Sequence, residues 1–218
     1  MKTQLLQGKR ILITAGPTWV PIDKVRVISN IASGETGVLI AEKFLRQGSK
    51  VTLLLGPVAL PYIKKGIKLV RFKFFDELRE KILRELKTGR YDIVIHAAAV
   101  SDYRPQKIYS RKVASDRKEW PLKLVPTVKI IDLIKKINRR LFVVGFKFEP
   151  GCGRDKLIRD ARKLIGRSGA TLVVANTTCN SRYMAFIVDS RAAYGPFSNK
   201  KKMSEGLIEI GGGKIWKG

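Results

Sequence analysis

The chain has 218 residues, 44% of them hydrophobic, with 44 Lys+Arg against 18 Asp+Glu and a formal net charge of +26. That length suits one α/β domain with a small appendage, and the apolar content suffices for a core. No run of 18 apolar residues occurs and the opening MKTQLLQGKR has no long apolar segment, so neither a membrane span nor a signal peptide is expected.

Residues 9–14 read as a buried strand. The stretch GPTWVPIDKVRVISNIASGETG, residues 16–37, follows it directly. It leads into a helix over 34–47, with Val38, Leu39, Ala41, Phe44 and Leu45 on the apolar side and Gly48 as the stop signal. Strand, glycine-rich loop and helix is the order that brings backbone N–H groups and a helix N-terminus up to a phosphate. A loop this long is more often a binding loop than a connector.

Residues 50–55 form the next strand, ended by Gly56 and Pro57, and 68–72 a short one. A helix over 75–86 has Asp76 and Glu77 in its first turn, where the dipole favours them. A strand over 91–96 is followed by Ala97, Ala98 and Ala99. Then come a helix over 127–138, a strand over 141–146, a helix over 155–166 and a strand over 172–175. This alternation predicts a Rossmann-like α/β fold, a mainly parallel sheet with helices on both faces and ligands at the strands' carboxyl ends. Residues 101–124 lack helical periodicity, carry much charge and read as a flap. Residues 180–218 read as a β-rich tail, with strand pieces at 186–189 and 207–210 around a basic turn. One domain over 1–218 is expected.

The charge attracts anions, which leaves nucleic acid and phosphorylated metabolites as candidates. There is no basic tail, zinc-finger spacing or aromatic-basic RNA motif, which favours solvated surface charge around a local anion site. Cys152 and Cys179 fit neither a disulfide framework nor a zinc site, and are expected as reduced thiols in a cytoplasmic protein. His96, the single histidine, argues against a His-rich metal centre; it is either a packed strand-end residue or the base of a Ser-His-Asp site. An NAD(P)-dependent oxidoreductase is the other enzymatic alternative. Against it, the first loop has no compact G-x-G-x-x-G, and Tyr103 and Lys107 share only the spacing of a catalytic Tyr–Lys pair.

At the strand ends stand Gly16, the segment HAAAVSDYRPQK (96–107), VGFKFE (144–149) and VVANTT (173–178). Small side chains after His96 let a flat ring or a ribose approach the backbone, and Asp102 could hold a ribose hydroxyl or, through a cation, a phosphate. Taken together, GPT and PID (16–18, 21–23), VR and ISN (25–26, 28–30), SG with Gly37 (33–34), AAVSDYRP (98–105), a flap lysine, VGF (144–146) and VAN (174–176) form a larger pattern. In this order and spacing they resemble the phosphopantothenate–cysteine ligase family, the synthetase half of the bifunctional coenzyme A biosynthesis flavoproteins, over roughly residues 9–190.

The resemblance implies a stand-alone ligase without the flavin-dependent half. CTP, with ATP left open, would activate the carboxylate of 4′-phosphopantothenate as an acyl-cytidylate with loss of pyrophosphate. The amine of cysteine would then displace CMP. Mg2+ would accompany the triphosphate, and a homodimer is expected. By the same resemblance Asn30 contacts the acyl-nucleotide intermediate, and Lys112 in the flap reaches the triphosphate, with Lys107 as the fallback. Asp102, Ala97, Ala98, Gly16, Phe146, Lys163 and Arg167 contact the nucleotide; the last two lie four apart, on one helix face. Arg26, Ser33 and Gly34 serve the other substrate. Thr127 and Ile130 stand in TVKI, where the family has Asn-Pro-Asp-Ile character. Two further departures are Trp19-Val20 for the family's Arg-Glu and Glu35-Thr36 for its Lys-Met. Glu35 would weaken anion binding unless it faces solvent.

Overall fold

A computed structural model describes residues 6–59 and 62–211; the 212–218 part of the expected tail lies outside the described residues. In chain order the elements are β1 (Arg10–Ala15), β2 (Trp19–Pro21), β3 (Val27–Ser29), α1 (Glu35–Arg46), β4 (Lys50–Leu55), β5 (Ile67–Arg71), α2 (Phe75–Thr88), β6 (Ile93–His96), β7 (Tyr103–Pro105) and β8 (Leu124–Pro126). They continue with α3 (Ile130–Ile137), β9 (Phe142–Phe148), α4 (Arg154–Ser168), β10 (Leu172–Cys179), β11 (Arg182–Val188), β12 (Ala193–Phe197) and α5 (Lys200–Ile210).

Eight strands make one sheet in the order β12-β11-β10-β9-β6-β1-β4-β5. From β5 through β10 every pairing is parallel, with Ile13 of β1 level with Leu53 of β4 and Ile95 of β6. β11 and β12 extend the sheet antiparallel beyond β10. Taken as the first strand, β1 has β4 and β5 to one side and β6, β9 and β10 to the other. That is the doubly wound Rossmann order, with its reversal between β1 and β6.

Central strands buried on both faces need near-continuous apolar runs. RILITA and KVTLLL supply them: in β1 and β4 only the first residue is exposed. Alternate residues then feed two cores. Ile11, Ile13 and Leu53 pack with Ile40 and Phe44 of α1 and with Met203 and Leu207 of α5. Leu12, Leu54 and Val94 face the other way, toward Leu78 and Ile82 of α2, Ile134 of α3 and Leu157 of α4. Among the described residues no helix is long and apolar enough to cross a membrane.

Two expectations need correction. Residues 207–210 are not a strand but the last turn of α5. Asn199 caps that helix by accepting from the Lys202 N–H at 2.8 Å, and Met203 and Leu207 recur at helical spacing on the buried side. The short apolar run LIEI fits either period when read by itself. The helix expected from 127 begins at Ile130. Pro126 ends β8, and the Thr127 N–H is held by the Asp102 carbonyl at 2.9 Å, so this backbone is committed elsewhere. The flap takes the form of a ribbon, β7 paired antiparallel with β8 at its base. A second ribbon, β2 with β3, lies within the long first loop.

Gly37 sets how closely α1 sits on β1, because a Cβ there would fall 2.4 Å from the Ala15 Cβ. Gly37→Val is expected to lower the unfolding free energy by about 1–3 kcal/mol through overpacking. Urea denaturation checks this, and an unchanged midpoint would refute the close-packing role.

Candidate active site

The parallel pairing of β1 and β6 runs on past both strand ends. The Ala97 N–H donates to the Thr14 carbonyl (3.1 Å), the Ala99 N–H to Gly16 (2.9 Å), and the Thr18 N–H back to Ala99 (3.2 Å). This zipper brings Gly16 alongside Ala97 and Ala98. Gly16 has φ +79° and backs onto Gly56, whose nitrogen would lie 3.2 Å from any Cβ at position 16. A side chain there would be strained in backbone and crowded at once.

The long loop folds over this zipper. Asn30 Nδ2 donates to the Ala99 carbonyl at 3.0 Å, and Ser29 Oγ to the Thr18 carbonyl at 3.3 Å. Ser33 Oγ accepts from the Glu35 N–H at 3.4 Å, and Gly34, at φ +74°, turns the chain into α1.

A cavity of about 1140 Å³ opens above these strand ends. Gly16, Asn30, Ser33 and Gly34 line it from the loop, and Ala97, Ala98 and Asp102 from the end of β6. Ile130 enters from α3, Phe146 from β9, and Lys163 and Arg167 from one face of α4. Residues expected at the site from five separate stretches of chain thus meet in one place.

Arg26, Lys112 and Thr127 do not line this cavity. The Thr127 hydroxyl donates to the Ser101 carbonyl at 2.7 Å, which turns it toward the main chain. The Arg26 guanidinium pairs with Asp23 at 3.1 Å, donates to the Val113 carbonyl at 3.2 Å and lies 4.9 Å from the centre of the Trp120 ring. Arg26 is thus an anchor of the flap. Lys112 is exposed on that flap, one residue from buried Val113.

Asp23, with its side chain fully buried, is the hub of this anchor. It accepts from the N–H groups of Val25 (2.9 Å), Arg26 (2.8 Å) and Val113 (3.1 Å). Burial pushes its carboxyl up, but those N–H donors and the Arg26 charge outweigh it and hold the carboxyl below the ordinary 3.8.

His96 is 8% exposed, with Nδ1 2.9 Å from the Thr14 hydroxyl. That hydroxyl also accepts from the Ala98 N–H at 3.2 Å. Burial lowers the imidazole from 6.5 to about 4, so the ring is neutral near pH 7. It is packed at the strand end against Thr14 and borders the cavity.

Other charged groups at the cavity escaped the sequence reading. Lys129 lies 2.5 Å from Asp102, Lys200 pairs with Glu35, and Lys147 lies 2.7 Å from Glu149. Arg167 and Lys163 are each 3.8 Å from a carboxylate, Asp132 and Asp160 respectively. Lys200 was hidden by reading the tail as strand. Lys129 stands inside TVKI between Thr127 and Ile130, and one lysine among 44 basic residues carries no signal of its own. Glu35 does not project freely into the cavity; Lys200 compensates it across the gap between α1 and α5.

Two outcomes follow from these side chains. Because the folded value of His96 lies below the unfolded 6.5, the unfolded chain takes up the proton first. Stability is expected to fall as pH drops from about 6.5 toward 4. His96→Asn should remove that part of the slope in urea titrations across this range, and an unaltered slope would contradict the assignment. Asp23→Asn should speed amide hydrogen exchange over residues 109–120 while leaving β1 and β4 protected. Equal protection in the flap would show that Asp23 does not hold it.

Residues 6–205 match the family described as the DNA/pantothenate metabolism flavoprotein C-terminal domain. The chain is 43% identical over 173 residues to the coenzyme A biosynthesis bifunctional protein CoaBC of Thermococcus kodakarensis, covering 79% of this chain and 42% of that protein. It thus spans less than half the length of that relative. Among solved structures, the DNA/pantothenate metabolism flavoprotein from Streptococcus pneumoniae superposes with a TM-score of 0.83 at 27% identity, over 93% of this chain and 98% of that one. The C-terminal domain of a CoaBC protein gives 0.79 at 27% identity, over 96% and 97%. With 200 consecutive residues inside the family's bounds, this chain belongs to the DNA/pantothenate metabolism flavoprotein C-terminal domain family.

Proposed function

We propose that the chain joins the carboxylate of 4′-phosphopantothenate to the amine of L-cysteine, with CTP as co-substrate, as a step of coenzyme A biosynthesis. The observation that carries this reading is the convergence of Asn30, Asp102, Phe146, Lys163 and Arg167 on one cavity at the β1/β6 reversal. The family match and the CoaBC relative supply the substrate class.

In the first step a carboxylate oxygen attacks the α-phosphorus of CTP. The bond to the β-phosphate oxygen breaks and pyrophosphate leaves. Both reactants are anions, so their approach requires cations and dipoles fixed in advance. Lys163 and Arg167 supply charge from α4, while the start of α1 offers backbone N–H groups beyond the Glu35 N–H taken by Ser33. Phe146 offers an apolar surface to a base. Lys112, carried on the anchored flap, adds a mobile point charge.

In the second step the cysteine nitrogen attacks the acyl carbon. The acyl–oxygen bond to the nucleotide breaks, CMP leaves and the nitrogen loses a proton. Charge grows on the acyl oxygen and needs a donor. Asn30 fits: one Nδ2 hydrogen is taken by Ala99, and the second remains for a ligand oxygen.

Magnesium is proposed only as a companion of the triphosphate, held by its oxygens. Among the described residues no three His, Cys, Asp or Glu side chains cluster to hold a metal by themselves.

Pyrophosphate release with phosphopantothenate, cysteine and either CTP or ATP tests the reading and settles the nucleotide. Release dependent on phosphopantothenate supports it, and none from folded protein overturns it. Asn30→Ala is expected to lower kcat for amide formation by roughly 10²–10³, with nucleotide affinity much less affected. Wild-type turnover would remove Asn30 from the chemistry.

A further inference from the structure

We propose that Lys129 is a binding residue for the nucleotide's phosphate chain, and that its ion pair with Asp102 is exchanged when the nucleotide enters. This inference rests on the nucleotide-binding reading of the cavity.

The segment around Lys129 is fixed from outside the cavity. β8 pairs with β7, and Thr127 spends its N–H on the Asp102 carbonyl (2.9 Å) and its hydroxyl on the Ser101 carbonyl (2.7 Å). Residues 101–102 and 127–129 are therefore held side by side by main-chain contacts that need no ligand. Of the segment 127–130, Val128, Lys129 and Ile130 reach the cavity, and Lys129 is the one that carries charge. Lys129, rather than Thr127, offers the cavity a polar side chain from this segment.

Lys129 and Asp102 are exposed, at 40% and 62% of their side chains. A pair so open to water holds its partners weakly, so the ammonium can change partner at little cost. A phosphate oxygen offers it a charge-assisted bond of the kind it leaves. The carboxylate, once released, can accept from a hydroxyl or amine of the same ligand, which a carboxylate locked to lysine does less readily. The pair thus presents a cation for the anionic part of a nucleotide and an acceptor for its donor groups. It also keeps Asp102 from repelling an incoming phosphate. Without Lys129 an uncompensated carboxylate faces the ligand, so the loss exceeds that of one contact.

Calorimetric titration of CTP, cytidine and inorganic tripolyphosphate into wild type, Lys129→Ala, Lys129→Arg, Asp102→Asn and the Lys129→Ala/Asp102→Asn double variant tests this. Lys129→Ala should weaken CTP and tripolyphosphate by about tenfold or more and cytidine by less than about twofold, while Lys129→Arg stays near wild type. The double variant should bind CTP more tightly than Lys129→Ala alone. Unchanged CTP affinity in Lys129→Ala, or equal losses for CTP and cytidine, overturns the proposal. If wild type releases pyrophosphate while Lys129→Ala keeps its CTP affinity, this inference fails and the ligase reading stands. If wild type makes no product yet Lys129→Ala loses tripolyphosphate, the ligase reading fails and the phosphate site stands. Wild type that binds neither CTP nor tripolyphosphate overturns both.

Discussion

The reversal of strand order between β1 and β6 is the constraint on which the site depends. The chain leaves β1 for α1 on one face of the sheet and leaves β6 for α3 on the other. No helix can cover both strand ends, so a crevice forms there without any residue being placed to make it. What the sequence adds is the main-chain zipper from Thr14 to Ala99, which extends the two strands into that crevice as a floor. Small residues on the floor leave room above it. Every other contribution to the cavity is made relative to this floor, from Asn30 on the Ala99 carbonyl to α4 approaching from the side.

The charge of +26 looks at first like a global property, yet at the cavity it is managed locally. Asp102, Glu35 and Asp160 each sit within reach of a lysine. Exposed pairs of this kind add little to folding stability. Their value is positional: each holds a long, flexible cation near the place where an anionic ligand would sit. A site of bare lysines would repel itself and scatter its side chains. A site of lysines tethered to carboxylates keeps them in place, at the cost of having to exchange partners on binding.

Much of the fold was legible because buried parallel strands leave a strong trace. β4 was read with its observed bounds from KVTLLL, and Gly34 marked the start of α1 because a left-handed turn at that point requires glycine. The motifs were legible for the same reason: residues at strand ends keep their order when the topology is known. The missing parts have physical causes. α5 owes its identity to the Asn199 cap and to packing against β11 and β12, which four apolar or charged letters cannot reveal. Arg26 looks like a ligand residue in VR-ISN, but Asp23, three positions earlier, bends the chain so that the guanidinium reaches Val113 and Trp120. Only the fold brings residues 87 apart into that contact.

Two departures from the family pattern acquire a shared meaning once placed in space. Glu35 is an anion where the sequence resemblance leads one to expect a cation, and Lys129 is a cation in the segment where it leads one to expect Asn-Pro-Asp-Ile character. Both line the same cavity. Neither stands alone: Lys200 answers Glu35 from the first turn of α5, and Lys129 answers Asp102. A second tie between the same helices, Lys43 to Glu205 at 2.9 Å, braces α1 against α5 and so keeps Lys200 opposite Glu35. Glu35 and Lys200 together carry no net charge, so the pair neutralises the carboxylate at the rim without supplying a free cation there. A phosphate responds to the summed field of the groups around it, so with Glu35 neutralised the attraction falls to Lys129, Lys163 and Arg167, which line the same cavity.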